Sequence, residues 1–119
     1  MKKNNLLPPE VRSLIPKLYA QEGASDPMVF SKLFNPYGIG TWYILEFDAE
    51  DILFCYTDLI DSELGYVSLS ELENLPACIC GRWNNEIPGI ERDLYFQPMP
   101  LSKAIKTLNR SELEEKIDG

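Results

Sequence analysis

Three consecutive polar residues near the C-terminal end of the chain, Glu91, Arg92 and Asp93, form the best candidate for a defined polar site. In an extended segment Glu91 and Asp93 share one face and Arg92 takes the other, because side chains alternate along a strand. Arg92 can then hold a ligand carboxylate or phosphate through two parallel hydrogen bonds. The alternative is an ion pair with Glu10 or Glu22 that ties this segment to the first helices. The pattern therefore predicts either a ligand site or a structural salt bridge.

A second group of charged residues lies in the middle of the chain. Between Lys32 and Arg82 there is no basic residue, but there are nine acidic residues. Such a run predicts an acidic face that occupies a partner's basic nucleic-acid groove and speeds association at low salt. The alternative is a solvated surface that only keeps the protein soluble. The residues expected to form this face are Glu46, Asp48, Glu50, Asp51, Asp58, Asp61 and Glu63, with Trp42 and Tyr66 as aromatic anchors.

Composition excludes several classes of site. The 119 residues contain no histidine, which removes Ser-His-Asp and Cys-His catalytic sites and metal sites with imidazole ligands. Acidic residues outnumber basic residues 19 to 11, and the net charge of −8 argues against direct binding of nucleic acid. Acidic residues on tight turns lack the burial that a catalytic acid needs. We therefore expect no enzyme, no catalytic residue and no cofactor.

The three cysteines are Cys55, Cys78 and Cys80, and they predict neither a disulfide framework nor a CxxC metal motif. A three-thiolate metal site is the alternative to buried, inert thiols, but no fourth ligand is visible. The N-terminal residues are basic and lack the apolar run of a signal peptide, and no apolar stretch is long enough to span a membrane. These features predict a reduced cytoplasmic protein without bound metal.

The elements that must position these residues follow from local patterns. The Ser68-x-x-Glu71 capping box predicts a helix that ends before Pro76. Other helices are expected within residues 6–16, at 17–21 as a short turn, at 101–108, and at 109–119 as a tail that frays. Strands are expected at residues 28–34, 41–47, 52–57, 65–67 and 91–97, with a loop at 76–89.

These elements predict a single α+β domain over residues 1–119, with its core at about 6–108. Short connections favour an antiparallel meander of three to five strands, packed by the N-terminal and C-terminal helices. Alternation along residues 41–47 places Tyr43, Leu45 and Phe47 on one face of the sheet and Trp42, Ile44 and Glu46 on the other. Both faces carry bulky side chains, so we expect helices or a partner to cover part of the second face.

Five segments, taken in order, resemble an uncharacterised bacterial family, a domain of unknown function. They are LLPPE at 6–10, LYAQE at 18–22, TWY at 41–43, ELGYVSLSEL at 63–72, and ERDLYF at 91–96 followed by Pro98. The resemblance covers about residues 6–101. The chain departs from the family pattern at 54–57, and its segment 78–85 is expanded. The family is carried on plasmids, integrative elements and phages, and it has no assigned catalytic residues.

This resemblance implies an accessory protein of a mobile element, of a kind that blunts host defence. Together with the acidic segment, it predicts a non-enzymatic protein-interaction module that inhibits or modulates a host nucleic-acid-binding protein. Its mode would be nucleic-acid mimicry, of the anti-restriction or anti-CRISPR type. One alternative is a small ligand-binding protein or enzyme that uses Glu91, Arg92 and Asp93. The other is a structural or accessory subunit in plasmid replication or conjugation.

Overall fold

The computed structural model describes residues 5–106, in which short strands outnumber helices. The helices are α1 (Pro9–Arg12), α2 (Leu69–Asn74) and α3 (residues 101–106). The strands are β1 (Met28–Val29), β2 (Ser31–Phe34), β3 (Thr41–Phe47), β4 (Ile52–Asp58), β5 (Ser62–Ser68), β6 (Pro76–Ile79), β7 (Arg82–Pro88), β8 (Glu91–Arg92) and β9 (Met99–Pro100). The domain is thus mostly β. The predicted tail at 109–119 lies outside the described residues.

A five-stranded antiparallel sheet organises the domain, with strand order β5-β4-β3-β2-β8. Strands β2 to β5 form the predicted meander, and β8 adds to the free edge of β2. Two smaller antiparallel pairs, β1 with β9 and β6 with β7, lie outside this sheet. The prediction of an antiparallel sheet with up to five strands is therefore confirmed.

A β-bulge in β3 changes which residues face each side of the sheet. The register shifts between Ile44 and Glu46, so Leu45 is an extra residue without a partner in β4. An extra residue reverses the alternation that follows it. Phe47 therefore packs in the same cluster as Trp42 and Ile44, and Glu46 lies on the side of Leu45. The predicted facing of Glu46 and Phe47 was wrong for this reason.

The N-terminal segment and α2 cover the first face of the sheet, which carries Trp42, Ile44 and Phe47. Residues Leu6 and Leu7 from the N-terminal segment and Leu69 and Leu72 from α2 are buried against this face. Helix α1 itself buries no residue, because the buried side chains come just before and after it. Helix packing is thus a smaller part of the fold than the sequence predicted.

The second face of the sheet is less completely covered. Its buried cluster consists of Tyr43 and Leu45 from β3, Val29 from β1 and Ala104 from α3. Phe54 and Tyr56 from β4 are only partly buried against it. The outer part of this face, on β4 and β5, is therefore accessible to solvent.

The predicted elements at residues 76–89 and 91–97 differ most from the structure. Residues 76–89 form the β6–β7 hairpin rather than a loop. Its turn residues, Cys80 and Gly81, have φ of +52° and +78°, which is the geometry of a tight hairpin turn. The segment predicted as a strand at 91–97 is a strand only at Glu91–Arg92. Residues 76–89 are rich in Pro, Gly and Asn, which are typical of turns. This composition predicted a loop and concealed the two strands on either side of the turn.

Candidate functional site

A groove of about 450 Å³ lies on the second face of the sheet. Four side chains of β4 and β5 line it: Phe54, Tyr56, Leu64 and Tyr66. The facing wall is formed by the segment between Tyr19 and Pro27, and Leu101 of α3 also lines the groove. The groove is thus bounded by a sheet face that is apolar and aromatic, and by a loop that precedes β1.

The side chains of Glu46 and Gln21 hold the segment between Tyr19 and Pro27, which we call the loop wall, against the sheet. Both carboxylate oxygens of Glu46 accept backbone N–H groups, from Tyr19 at 2.8 Å and from Gln21 at 2.7 Å. The Gln21 amide nitrogen donates to the carbonyls of Met28 and Leu45, and its oxygen accepts the N–H of Met28. Because every one of these bonds ends on main chain, the wall has a defined position relative to β3.

Two tyrosines meet at the groove. The side chains of Tyr19 and Tyr66 both line the groove, and Tyr19 has a φ of +70°. The interaction with Tyr19 raises the pKa of Tyr66, and the negative charges of Glu46 and Glu22 act in the same direction. The rings of Phe54 and Tyr66 lie 5.0 Å apart, with their planes tilted by 46°. The groove therefore presents tilted aromatic rings beside two carboxylates.

The acidic face that the sequence predicted is only partly present. Glu46 is 4% exposed, so its assignment to an exposed surface was wrong. Its carboxylate accepts hydrogen bonds from the backbone N–H groups of Tyr19 and Gln21. Asp48 accepts three backbone N–H groups within its own turn, from Glu50, Asp51 and Ile52. These bonds lower the pKa of Asp48, with the bond from Glu50 making the largest contribution.

Asp51 has a similar structural role at the start of α2. Its carboxylate accepts hydrogen bonds from the N–H of Ser70 and from the hydroxyls of Ser68 and Ser70. The Ser68 hydroxyl in turn accepts the N–H of Glu71, as the capping box predicted. Asp48 therefore stabilises the β3–β4 turn and Asp51 stabilises the start of α2, although both side chains are partly exposed.

Three of the remaining predicted acids lie at the other end of the β4–β5 hairpin. Asp61 and Glu63 are exposed there and Asp58 is partly buried, whereas Glu50 is exposed in the β3–β4 turn. The seven residues of β4 separate the two groups, which corresponds to about 20 Å at the usual rise of a strand. The acids thus form two clusters, one at each end of the hairpin, rather than one continuous row.

The two predicted aromatic anchors have different environments. Trp42 is 7% exposed and belongs to the core of the first face, so its assignment as an exposed anchor was wrong. Gly40, with φ of +139°, lies so close to its ring that a Cβ there would be 2.9 Å from the indole. Tyr66, in contrast, is 54% exposed. Sequence reasoning missed Phe54 and Leu64 as groove residues, although alternation along β4 and β5 places them beside Tyr66.

The candidate polar site at Glu91, Arg92 and Asp93 lines a separate open cavity of about 480 Å³. Lys32 lies in the same cavity, and its Nζ is 4.0 Å from the Asp93 carboxylate. Arg92 stands opposite Leu33 in the β8–β2 pair, on the first face. The ion pair here therefore joins Asp93 to β2, instead of joining Arg92 to Glu10 or Glu22.

The three cysteines differ in accessibility. Cys55 is buried in the first face, and this burial raises the pKa of its thiol from 9.0 to about 12. Cys78 is partly exposed and Cys80 is exposed in the turn of the β6–β7 hairpin. Among residues 5–106, no three Cys, Asp or Glu side chains are arranged to hold a metal ion. None of the helices in this part of the chain has the length and apolar character needed to span a bilayer.

Comparison with known proteins gives one match. A family model described as "Protein of unknown function (DUF2958)" matches residues 6–113, which include the groove, the polar cavity and the whole five-stranded sheet. No curated protein and no solved structure matches the chain. The match spans nearly the whole sequence, as the segment pattern from LLPPE to ERDLYF predicted. The chain therefore belongs to the DUF2958 family, a family of unknown function.

Proposed function

We propose that the protein is a non-enzymatic interaction module that binds another protein through the β4–β5 part of its second sheet face. One observation carries this proposal: Leu64 and Tyr66 are 53% and 54% exposed beside the groove, while the first face of the same sheet is covered. Apolar side chains left exposed together on a sheet commonly mark an interaction surface. Tyrosine is also enriched among the residues that dominate binding energy.

The position of β5 supports the same proposal. It is the last strand in the sheet order, and no described strand pairs with its outer side. A free strand edge offers a row of backbone donors and acceptors to an incoming extended segment. The edge and the groove are adjacent, because Leu64 and Tyr66 belong to both. A partner can therefore use main-chain hydrogen bonds and side-chain contacts together.

Charge indicates the kind of partner. The chain carries −8 overall, and exposed acids lie at both ends of the β4–β5 hairpin, at Glu50 and at Asp61 and Glu63. An apolar centre with a charged rim is the usual arrangement of a protein interface. The partner we propose is a basic, nucleic-acid-binding protein of the host or of the element, inhibited or modulated in an anti-restriction or anti-CRISPR role. Two separated acidic clusters favour steering and orientation of the partner over imitation of a continuous phosphate row.

The cellular setting that we propose is the cytoplasm of a cell that carries a mobile element. Cys55, Cys78 and Cys80 are free thiols, which suits a reducing compartment. The segments shared with the family, from LLPPE to ERDLYF, support the mobile-element context. An accessory subunit in replication or conjugation would use the same surface, because such a role also requires a protein partner.

The experiment that tests this proposal is affinity capture with the full chain and two matched variants. Leu64→Ser with Tyr66→Ser removes the exposed apolar centre, and Trp83→Ser removes a comparably exposed side chain on the β6–β7 hairpin. We expect the first variant to lose the specific partner and the second to retain it. Capture should also weaken toward about 0.5 M salt, where charges are screened within a few ångströms. Equal capture by all three proteins would contradict the proposal.

A second candidate function is binding of a small charged ligand in the cavity of Glu91, Arg92 and Asp93. The observation that favours it is the presence of Lys32 and Arg92 with two carboxylates around one open space of about 480 Å³. Such a set suits a ligand that carries both positive and negative charges. The test is a thermal-shift screen of amino acids and nucleotides against the wild type and Lys32→Met with Arg92→Met. A ligand that stabilises the wild type alone would support this function.

A further inference from the structure

We infer that the groove is a recognition pocket for a Lys or Arg side chain, carried by an extended basic segment that adds to the outer edge of β5. This inference rests on the proposed function and names the chemistry that the surface selects. It concerns the groove bounded by Tyr19, Glu22, Glu46, Phe54, Tyr56 and Tyr66.

The rings are the first argument. Tyr19, Phe54, Tyr56 and Tyr66 all line one groove, and Phe54 and Tyr66 are tilted against each other at a centroid distance of 5.0 Å. Ring faces are electron-rich and attract a cation within about 6 Å of the centroid. The same sheet face already holds one such contact, between the Lys32 ammonium and the Tyr43 ring at 5.9 Å. A cationic side chain of a partner would find the same kind of contact at Tyr66.

Charge is the second argument. Glu22 is exposed on the loop wall and Glu46 lies beneath it, whereas the described residues that line the groove include no Lys or Arg. Each Glu46 oxygen accepts one backbone N–H and has a further lone pair. An entering cation therefore meets the exposed Glu22 carboxylate, above the negative charge of the buried Glu46, without a competing positive charge. An anionic ligand would meet only like charge.

The third argument is the register that β5 imposes. Residues directly opposite each other on paired strands have Cβ atoms about 5 Å apart, so a segment along β5 places alternate side chains beside Leu64 and Tyr66. Within the added segment, the residue opposite Tyr66 lies closest to Phe54, with the Tyr66 side chain between them, because Phe54 is the β4 partner of Tyr66. The residue opposite Leu64 lies two positions away. The preferred segment therefore carries a cation and an apolar residue separated by one position.

The experiment uses fluorescein-labelled peptides of about nine residues and the full chain, with binding measured by fluorescence anisotropy. One peptide has an Arg-x-Leu pattern in a Thr- and Val-rich segment, and the matched peptide has citrulline in place of Arg. Citrulline keeps the shape and removes the charge. We expect the Arg peptide to bind about tenfold more tightly, which lies between the contribution of an exposed cation–π contact and that of a desolvated one.

Matched variants identify the groups responsible. Tyr66→Leu should remove most of the preference for Arg over citrulline, and Tyr66→Phe should keep it, since only the first removes the ring. Glu22→Gln should reduce the preference about threefold, as expected for an exposed charge. Glu71→Gln, at another exposed acid, on α2, should leave it unchanged. Circular dichroism checks that each variant keeps the fold.

The outcomes separate this inference from the proposed function. Equal binding of the Arg and citrulline peptides would overturn the cation pocket, while partner capture that still depends on Leu64 and Tyr66 would leave the proposed surface in place. Binding of arginine amide as tight as that of the peptide would overturn the added strand, because a small amine would then suffice. Loss of peptide binding and of partner capture together would overturn both proposals.

Discussion

The carboxylate of Glu46 accepts the backbone N–H of Gln21 at 2.7 Å, across 25 positions of sequence. With the second bond, from Tyr19, this contact holds the loop wall against the sheet and gives the groove its shape. Glu46, which the sequence assigned to an exposed acidic surface, thus holds one wall of the groove in place from the sheet side.

Glu46→Gln should lower the free energy of unfolding by about 1–3 kcal/mol, because the new amide group faces a backbone N–H that needs an acceptor. The measurement is urea denaturation followed by tryptophan fluorescence. Glu50→Gln is the control, since Glu50 is exposed, and it should change stability by less than about 0.5 kcal/mol. Equal effects of the two substitutions would show that Glu46 does not fasten the wall.

Asp48 should make the protein sensitive to acid. Backbone N–H groups, first that of Glu50, lower its pKa below the usual 3.8 in the folded state. The stabilisation is therefore fully present above pH 3.8 and is lost as the pH falls below it. We expect the urea midpoint of the wild type to decrease between pH 5 and pH 3, and that of Asp48→Ala to decrease less. Glu63→Ala serves as the exposed control, and a slope for Asp48→Ala equal to that of the wild type would contradict this role.

Tyr43→Phe should leave stability unchanged or raise it by up to about 1 kcal/mol. The Tyr43 hydroxyl is buried without a hydrogen-bond partner among the described residues, so its removal relieves a desolvation cost. Burial, with smaller effects of Asp58 and Tyr56, raises the pKa of Tyr43 from 10.0 to about 12.

The same substitution predicts a change at alkaline pH. Between pH 10 and pH 12 the unfolded chain loses the Tyr43 proton while the folded protein keeps it, so wild-type stability falls across this window. The stability of Tyr43→Phe should fall less steeply over this pH range. The stability of Tyr95→Phe, at an exposed position, should follow that of the wild type. Urea midpoints measured from pH 8 upward check both. A Tyr43→Phe variant much less stable than the wild type would indicate that the hydroxyl is bonded.

The cysteines should react with a thiol reagent in order of exposure. Cys80 is exposed and should be labelled first, followed by Cys78. Cys55 should resist labelling near neutral pH, because it is buried and burial raises its pKa to about 12. Alkylation with iodoacetamide followed by peptide mass mapping gives the order. Labelling of Cys55 at the rate of Cys80 would indicate that the first face opens readily, whereas labelling only in urea would confirm the prediction.

Local patterns predicted the strands that form the sheet. Residues 41–47 were placed correctly as β3, and 52–57 differ from β4 by one residue, because aromatic and β-branched side chains and a short connector are local signals. Ser68 marked the start of α2 for the same reason. The β6–β7 hairpin was missed, since its turn depends on the positive φ of Cys80 as well as on Gly81.

The candidate site could be predicted only in part. Tyr66 was named, but Phe54 and the loop wall between Tyr19 and Pro27 were not. The loop wall is held to the sheet by hydrogen bonds of Gln21. One partner, Glu46, is distant in sequence, and the other, Met28, lies across a turn. No local pattern shows that an acid will meet backbone donors from another segment. The groove therefore became visible only with the fold.

The sequence by itself determined strands β3 and β4, the capping of α2, the excess of acidic charge and the family to which the chain belongs. The tertiary structure alone decided that Glu46 and Trp42 are buried and that the groove lies beside Tyr66. For Glu46 the physical reason is the bulge at Leu45, because one extra residue reverses the facing of Glu46 and Phe47. Trp42 is buried because the N-terminal segment and α2 cover the first face. Burial of a charge then depends on donors that only the folded chain brings to it.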